Sequence, residues 1–153
     1  VLNATLVKEG DILISHRGVF RGVTLRGIKE SSKYMQHTIL PRLQVGSLEG
    51  LEHHKFSILL GAELADTLGV NVGDQVMVTL PEPIISPIGV VTRTKGFRVV
   101  GVFKFGWADP DGNLAIVRSN VAEIFLPLAA RFSLISVTLR DPENSILVTD
   151  RIR

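Results

Sequence analysis

Residues 56–80 of the chain read FSILLGAELADTLGVNVGDQVMVTL. The apolar beginning of this stretch predicts a buried strand, and Gly61 then opens a short helix. Gly69 is typical of the left-handed residue that ends a helix. A turn at residues 72–74 leads into a second predicted strand, Gln75–Leu80. This order of strand, short helix and strand indicates a β-rich domain in which the helices are brief.

The segments on either side of this stretch are also rich in strand signals. Residues 11–16 and 20–28 contain many β-branched side chains, and a turn at Arg17-Gly18 predicts that they form a hairpin. Further strands are predicted over residues 97–105, 114–117 and 133–139. Strands outnumber helices and do not alternate with them regularly. This pattern favours an α+β fold with a mixed or antiparallel sheet over a doubly wound parallel sheet.

Short helices are predicted between and after these strands. The segment 31–45 is interrupted by a proline and predicts one or two short helices rather than a long one. Asn120 and Glu123 have the spacing of a capping box. Asp141-Pro142 predicts the start of a final helix, because residues 146–153 have an amphipathic helical pattern.

The composition limits the class of protein. The chain has 153 residues, the length of one ordinary domain, and 45% of them are hydrophobic, which excludes an intrinsically disordered chain. No run of residues is apolar for long enough to span a bilayer as a helix. The net charge of +2 is too weak to predict nucleic-acid binding. The absence of cysteine excludes disulfides, thiolate metal sites and cysteine nucleophiles.

The ends of the chain add an expectation. Residues 1–7 are already strand-like, without an initiator Met or a signal peptide, and the C-terminal residues carry no stop signal. We therefore expect a fragment of a longer protein.

No residue pattern predicts a catalytic site. His53 and His54 are adjacent rather than at the spacing of a helical zinc pair, so we expect a solvated loop there. Residues 109–113 resemble a calcium loop, but their glycine stands at the wrong position, and Asp111-Gly112 predicts a tight turn instead. Phosphate-binding glycine motifs and the G-x-S-x-G elbow are absent. We therefore expect a binding or motion-transmitting protein without enzyme activity, metal or cofactor.

Residues 81–95 are the most unusual part of the sequence and read PEPIISPIGVVTRTK. The prolines remove backbone donors and exclude a helix or a central strand. The segment is nevertheless as apolar as a core segment. Two interpretations are open at this point. In the first, the segment is a proline-stiffened finger that docks into a partner's groove, with Arg93 and Lys95 at its base. In the second, the loop folds back over the core, and the charges of these two residues protect an edge strand from pairing with another chain.

Five stretches of the sequence occur in the same order in a known family. They are GVTLRGI (22–28), LGAELA (60–65), LGVNVGD (68–74), SPIG (86–89) and FRVVGVF (97–103). Through them, over most of residues 20–118, the chain resembles the extracytoplasmic domain of the LolC/LolE family, the membrane subunits of the lipoprotein-releasing ABC transporter. The glycine-rich middle is shared with MacB-like and FtsX-like permease domains. The SPIG loop placed before FRVVG narrows the resemblance to the lipoprotein-release branch.

The resemblance implies a MacB-like periplasmic core. This would be a single α+β domain over residues 1–153, with short helices and a protruding β-hairpin, the hook. A further expectation is a discontinuous subdomain, residues 1–54 plus 119–153, with an inserted β-rich subdomain over residues 55–118. The domain would follow the first of four transmembrane helices and face the periplasm at the inner membrane of a Gram-negative bacterium.

The resemblance also implies partners. The hook would recruit a LolA-type periplasmic chaperone. The whole protein would assemble with a second LolC/LolE-type permease subunit and a LolD-type cytoplasmic ATPase, and it would handle lipoproteins but no nucleic acid. The expected docking residues are Pro83, Ile84, Ile85, Ser86, Pro87, Ile88, Gly89, Val90, Val91, Arg93 and Lys95. The isoleucines would bury against the chaperone, while Arg93 and Lys95 would steer and orient it.

Other identities stay open alongside this one. Thr94 and Lys95 stand where LolC-type hooks tend to carry Gln-Arg, so the sequence leaves the choice between LolC and LolE open. A MacB-like or FtsX-like domain would instead couple ATP hydrolysis to efflux or cell-wall remodelling. A free-standing periplasmic enzyme would predict a pocket with converging titratable groups.

Overall fold

The computed structural model of the chain describes residues 2–81, 84–106, 108–127, 131–138 and 146–152. Its strands are β1 (Leu2–His16), β2 (Val19–Ile28), β3 (Leu43–Gly46), β4 (Ser57–Gly61), β5 (Gln75–Thr79), β6 (Ile84–Ser86), β7 (Gly89–Val91), β8 (Thr94–Phe103), β9 (Leu114–Arg118), β10 (Arg131–Thr138) and β11 (Ile146–Ile152). Its helices are α1 (Glu49–His53), α2 (Ala62–Leu68), α3 (Ala108–Asn113) and α4 (Ser119–Phe125), with a π-helical turn over Met35–Ile39 and a 3-10 turn over Leu40–Arg42. Among the described residues, no helix has the length and apolarity needed to cross a membrane.

The strand pairings close into a ring. β1 and β2 form an antiparallel hairpin, β2 pairs with β9 in parallel, and β9 pairs with β4 antiparallel. β4 then pairs with β8 in parallel, β8 pairs with β5 antiparallel, and β5 returns to β1. In the described part of the chain, this ring belongs to one sheet with parallel and antiparallel pairs. The predicted α+β class with a mixed, strand-rich sheet is confirmed.

β1 pairs with two different strands along one of its edges. Its first half, residues 2–9, pairs with β10, while residues 13–15 pair with β5. β11 extends the sheet beyond β10, and β3 pairs with the end of β8. The pairs of β1 with β5 and of β2 with β9 join residues 1–54 to residues 55–118. The division of these segments into two subdomains stays a prediction.

Both faces of the central strands are buried. In β4, Ile58 and Leu60 lie in one apolar cluster and Leu59 lies in a second. β9 alternates in the same way, with Val117 in the first cluster and Ile116 in the second. The first cluster includes residues of α2 and α4, and the second includes residues of the π-helical turn and α1. Burial on both faces explains why the middle of β4, residues 58–60, is a continuous apolar run instead of an alternating one.

Most of the predicted elements are present. The strand and the helix that follow residue 56 are β4 and α2, and Gly69 ends α2 with a φ of 71°. There the N–H of Val70 donates to the carbonyl of Ala65 at 3.1 Å, which closes the helix end. The β1–β2 hairpin turns at Arg17 and Gly18, whose φ values of 47° and 83° are typical of a type I′ turn.

The predicted tight turn at Asp111-Gly112 is wrong, because both residues lie in α3. The Asp111 carboxylate accepts hydrogen bonds from the N–H groups of Phe105 and Gly106, at 2.6 and 2.9 Å. This side chain therefore closes the loop before the helix instead of forming a turn of its own. The carboxylate is buried, and the backbone donors satisfy it.

Segment 31–45 does contain two short helical turns, as predicted, but two predictions about other helices are wrong. The cap position of α4 is Arg118 rather than Asn120, and no side chain caps this end. Residues 146–152 form strand β11 instead of a final helix, because β10 offers them antiparallel backbone partners. The predicted start of that helix, Asp141-Pro142, lies outside the described residues.

A buried polar cluster links the β1–β2 hairpin to the segment that follows it. The Arg26 guanidinium forms a salt bridge with Glu9, its cross-strand partner, and donates a hydrogen bond of 3.3 Å to the Tyr34 hydroxyl. The side chains of Arg26 and Glu9 are only 12% and 4% exposed. Burial raises the pKa of the Tyr34 phenol, so this hydroxyl stays neutral.

Replacement of Arg26 by leucine is expected to lower the free energy of unfolding by about 3 kcal/mol, because Glu9 would keep a buried charge without the guanidinium. Urea denaturation measures this loss. Arg21→Leu, at an exposed position of the same strand, is the matched control and is expected to change stability by less than about 0.5 kcal/mol. Equal losses in the two variants would contradict the importance of the buried ion pair.

Candidate partner-docking site

A long antiparallel hairpin carries the proline-rich segment beyond the ring of strands. β5 pairs with β8 along its whole length, and we call this pair the stalk. At its end, the hydroxyls of Thr79 and Thr94 lie 3.0 Å apart, and the N–H of Leu80 donates to the carbonyl of Arg93 at 3.0 Å. Beyond the stalk, β6 and β7 pair with each other in a separate sheet. We call residues 84–91 the hook.

The hook closes with a tight turn at Pro87 and Ile88. Ser86 and Gly89 flank this turn as a cross-strand pair, and the Ser86 hydroxyl donates to the Gly89 carbonyl at 2.8 Å. Gly89 has a φ of 126°, a conformation that residues with a Cβ rarely adopt. Pro87 restricts its own φ and so stiffens the turn. The SPIG sequence therefore encodes a rigid hairpin tip.

The hook exposes large aliphatic side chains. Ile85 is 86% exposed, Ile88 is 91% exposed and Val90 is 68% exposed. A single exposed aliphatic residue is ordinary, but a group of them on one narrow hairpin forms an apolar surface without a core beneath it. The interpretation in which this segment packs over the core is therefore wrong for these side chains. Pro83 and the side chains of Ile84 and Val91 lie outside the described part of the structure.

Arg93 anchors the base of the hook to α4. Its guanidinium donates to the carbonyls of Ile124 and Phe125, at 2.9 and 2.8 Å, where the helix ends and its carbonyls lack helical partners. No local signal in the sequence could predict this contact, because Arg93 and Ile124 are 31 residues apart.

Lys95 is also held within the domain. Its ammonium lies 4.3 Å from the centroid of the Phe56 ring, a cation–π contact. Phe56 packs edge-to-face against Phe97, and Phe97 packs in the same way against Phe125. Both basic residues that the sequence places at the hook's base thus have partners inside the domain. Their role towards an external partner stays a prediction.

The histidines do not form a metal centre with other described residues. His53 is the last residue of α1 rather than part of a loop, His54 follows it, and both are exposed. Over the ranges that the structure describes, no group of three or more His, Asp or Glu residues is placed to hold a metal ion.

Comparison with known proteins places this architecture in a family. The family model for the MacB-like periplasmic core domain matches residues 12–153. The chain belongs to this family. The resemblance to LolC/LolE-type periplasmic domains that the sequence motifs indicated is confirmed at this level.

Several relatives carry the name lipoprotein-releasing system transmembrane protein LolC. The one from Neisseria meningitidis serogroup B is 34% identical over 149 residues, which are 97% of this chain and 36% of that protein. Those from two strains of Xylella fastidiosa are 40% identical over 93 residues, 61% of this chain and 22% of those proteins. The chain thus spans about a third or less of the length of these relatives.

A solved structure supports the fold assignment. It is the extracellular domain of the noncanonic ABC-type transporter YknZ from Gram-positive bacteria, with a TM-score of 0.53 and 15% sequence identity. The match covers 95% of this chain and 65% of that chain. At this identity, the likeness concerns the fold alone.

Replacement of Arg93 by methionine is expected to loosen the hook from α4, because two hydrogen bonds from a charged donor to the helix carbonyls are lost. The amide of Leu80, which bonds to the Arg93 carbonyl, is expected to exchange its hydrogen about tenfold faster or more. Arg98→Met, at an exposed position of the same strand, is the control and is expected to leave this rate unchanged. Unchanged exchange in Arg93→Met would show that α4 does not hold the hook.

Proposed function

We propose that the chain is the periplasmic domain of a permease subunit that releases outer-membrane lipoproteins from the inner membrane and passes them to a LolA-type chaperone. The observation that carries the proposal is the exposed apolar surface of the hook, on Ile85, Ile88 and Val90. The likeness to a LolC protein along 97% of the chain supports it. In this proposal, the rest of the subunit crosses the inner membrane and the domain faces the periplasm.

The chemistry of the hook fits a reversible protein contact. Full burial of one isoleucine or valine side chain is worth about 1.5–3 kcal/mol. A few such side chains therefore offset the loss of translational and rotational freedom on association without producing a very tight complex. A chaperone that has to leave with its cargo needs a weak hold of this kind.

The stiffness of the hook favours binding in a second way. Pro87 and Gly89 fix the turn, and Arg93 fixes the base, so little conformational freedom is lost when a partner closes around the hairpin. We expect the hook to enter an apolar groove of the chaperone as a preformed element.

The domain would perform no bond chemistry in this proposal. ATP hydrolysis would take place in a LolD-type cytoplasmic subunit, and its energy would reach the domain through the membrane-spanning part of the subunit and a second LolC/LolE-type permease. The strand ring would then move as one body, because its strands are hydrogen-bonded to one another around the ring. Such movement would present the hook to the chaperone in step with the release of lipoprotein.

The alternative of a MacB-like or FtsX-like domain in efflux or cell-wall remodelling is less favoured. Such domains would share the ring of strands, but the relatives at 34–40% identity carry the name of lipoprotein-releasing subunits, whereas the YknZ domain is alike in fold alone. Binding to a LolA-type chaperone separates the two proposals, because only the first requires it.

Ile88→Glu is expected to weaken binding of a purified LolA-type chaperone at least about tenfold, because a highly exposed apolar contact at the hook tip is replaced by a charge. Isothermal titration calorimetry measures the affinity. The matched control is Val45→Glu on β3, where a valine that is 54% exposed lies outside the hook; we expect its affinity to equal that of the wild type. If the wild-type chain does not bind the chaperone, or if Ile88→Glu binds it equally well, the proposal is wrong.

Gly89→Ala is expected to weaken chaperone binding while leaving the unfolding midpoint of the domain unchanged. A Cβ at a φ of 126° costs about 1–3 kcal/mol, and this strain would distort the separate β6–β7 hairpin rather than the ring. Gly22→Ala, where φ is not positive and the Cβ would meet open space, is the control and should bind normally. Normal binding by Gly89→Ala would mean that the turn geometry does not matter for docking.

A further inference from the structure

A second surface of the domain, separate from the hook, carries two exposed cations and two histidines around an open cleft. An open cleft of about 460 Å3 lies between the end of α1 and the far end of the stalk. Its lining includes His53, His54, Lys55, Gln75, Gly96 and Arg98. Lys55 and Arg98 are exposed cations, the two histidines add donors, and the lining contains no acidic residue.

The two cations of the cleft form no direct ion pair with the described acidic residues. Among the described residues, no carboxylate lies within 4.0 Å of the charged nitrogens of Lys55 or Arg98. Asp74 is next to Gln75 in sequence, and its carboxylate accepts the N–H of Asn71 at 2.9 Å, which orients the group without removing its charge. Glu52, next to His53, is also exposed. The ammonium of Lys55 and the guanidinium of Arg98 therefore lack a direct ion pair within the described residues and can pair with a ligand, although carboxylates lie near the cleft in sequence.

An aromatic ring at the edge of the cleft contacts two lysine ammonium groups. The Lys55 ammonium lies 5.5 Å from the centroid of the Phe56 ring, and the Lys95 ammonium lies 4.3 Å from the same centroid. Cation–π contacts of this kind hold ammonium groups in place without cancelling their charge. Lys95 thus adds to the positive potential of the cleft although it is not part of the lining.

Two backbone amides of the cleft are already paired, which limits the kind of anion that it suits. The N–H of Arg98 donates to the carbonyl of Phe56 at 2.9 Å, and the N–H of Gly73 donates to the carbonyl of Val99 at 2.8 Å. These amides cannot form the nest of free N–H groups that holds a single phosphate. An anion would therefore be bound by side chains, and because these side chains are spread along the cleft, they suit a ligand with several separated negative charges.

We propose that this cleft binds an acidic peptide segment, a run of Asp or Glu side chains on a protein partner. Lys55 and Arg98 pair with its carboxylates, and the histidines donate hydrogen bonds to them. Because these groups are solvent-exposed, the contact is weak and steers the partner more than it holds it, and salt weakens it strongly. The proposal goes beyond the function proposed above and does not depend on the hook or on a chaperone.

The test uses the 153-residue chain and a fluorescein-labelled oligoglutamate peptide as the probe. Fluorescence anisotropy at low ionic strength is expected to show binding that weakens steeply as salt is added. The double variant Lys55→Ala with Arg98→Ala is expected to bind about fivefold more weakly, as the loss of two exposed ion pairs predicts. The matched control, Lys33→Ala with Lys104→Ala, removes two exposed lysines outside the cleft and is expected to bind as the wild type does.

Amide chemical shifts identify the binding surface directly. The peptide is expected to shift the amides of residues 53–56, 73–75 and 96–98 of the chain. Equal weakening in the two double variants, or shifts spread evenly over the surface, would overturn the proposal. Inorganic phosphate that shifts the same amides at the same concentration would also overturn it, in favour of a small-anion site. Loss of peptide binding in Ile88→Glu would place the peptide on the hook and contradict the cleft.

Discussion

β5 is hydrogen-bonded on both of its edges, to β1 on one side and to β8 on the other. This double pairing closes the ring of strands and at the same time makes the strand that leads into the hook a member of that ring. A hairpin of two strands alone is barely stable in water. Here the stalk has a third strand beside it, a hydroxyl pair at Thr79 and Thr94, and an arginine bound to α4. These contacts fix the base of the hook relative to the ring of strands. The position of the exposed isoleucines depends on this arrangement.

Local sequence signals predicted the parts of the fold that depend on local physics. Gly69 ends a helix in the left-handed conformation and Arg17-Gly18 turns a hairpin, because a short stretch of backbone determines both. Residues 146–152 have a helical pattern but form a strand, since an available edge of β10 decides their structure and no pattern within the segment reports it. Asp111 lies in a helix instead of the predicted turn, and its carboxylate accepts backbone N–H groups of Phe105 and Gly106, which precede that turn. Closure of the ring also went unpredicted, because it requires pairing between strands far apart in sequence.

The candidate docking site, like the fold, was predicted from the sequence only in part. Prolines and isoleucines in one short segment left open whether it projects or packs over the core, and the family resemblance implied the projection. The exposure of Ile85 and Ile88 agrees with a projection. The sequence could not predict the partners of Arg93 and Lys95, because these partners lie in α4 and in the residue before β4, far away along the chain. The basic cleft was missed as well. His53 and His54 were interpreted as part of a solvated loop, and Arg98 is brought beside them only by the fold.

The hook is a sheet of two strands, so each of its strands has an outer edge with no neighbour in the described sheet. Such edges, next to exposed isoleucines, are the usual starting point for strand-to-strand aggregation between copies of a chain. Proline supplies no N–H to an incoming strand, and it occupies positions 81, 83 and 87 around and within the hook. Arg93 adds a charge directly beyond β7. These prolines therefore allow the chain to keep an apolar surface exposed while reducing the tendency of two copies to pair strand edge to strand edge.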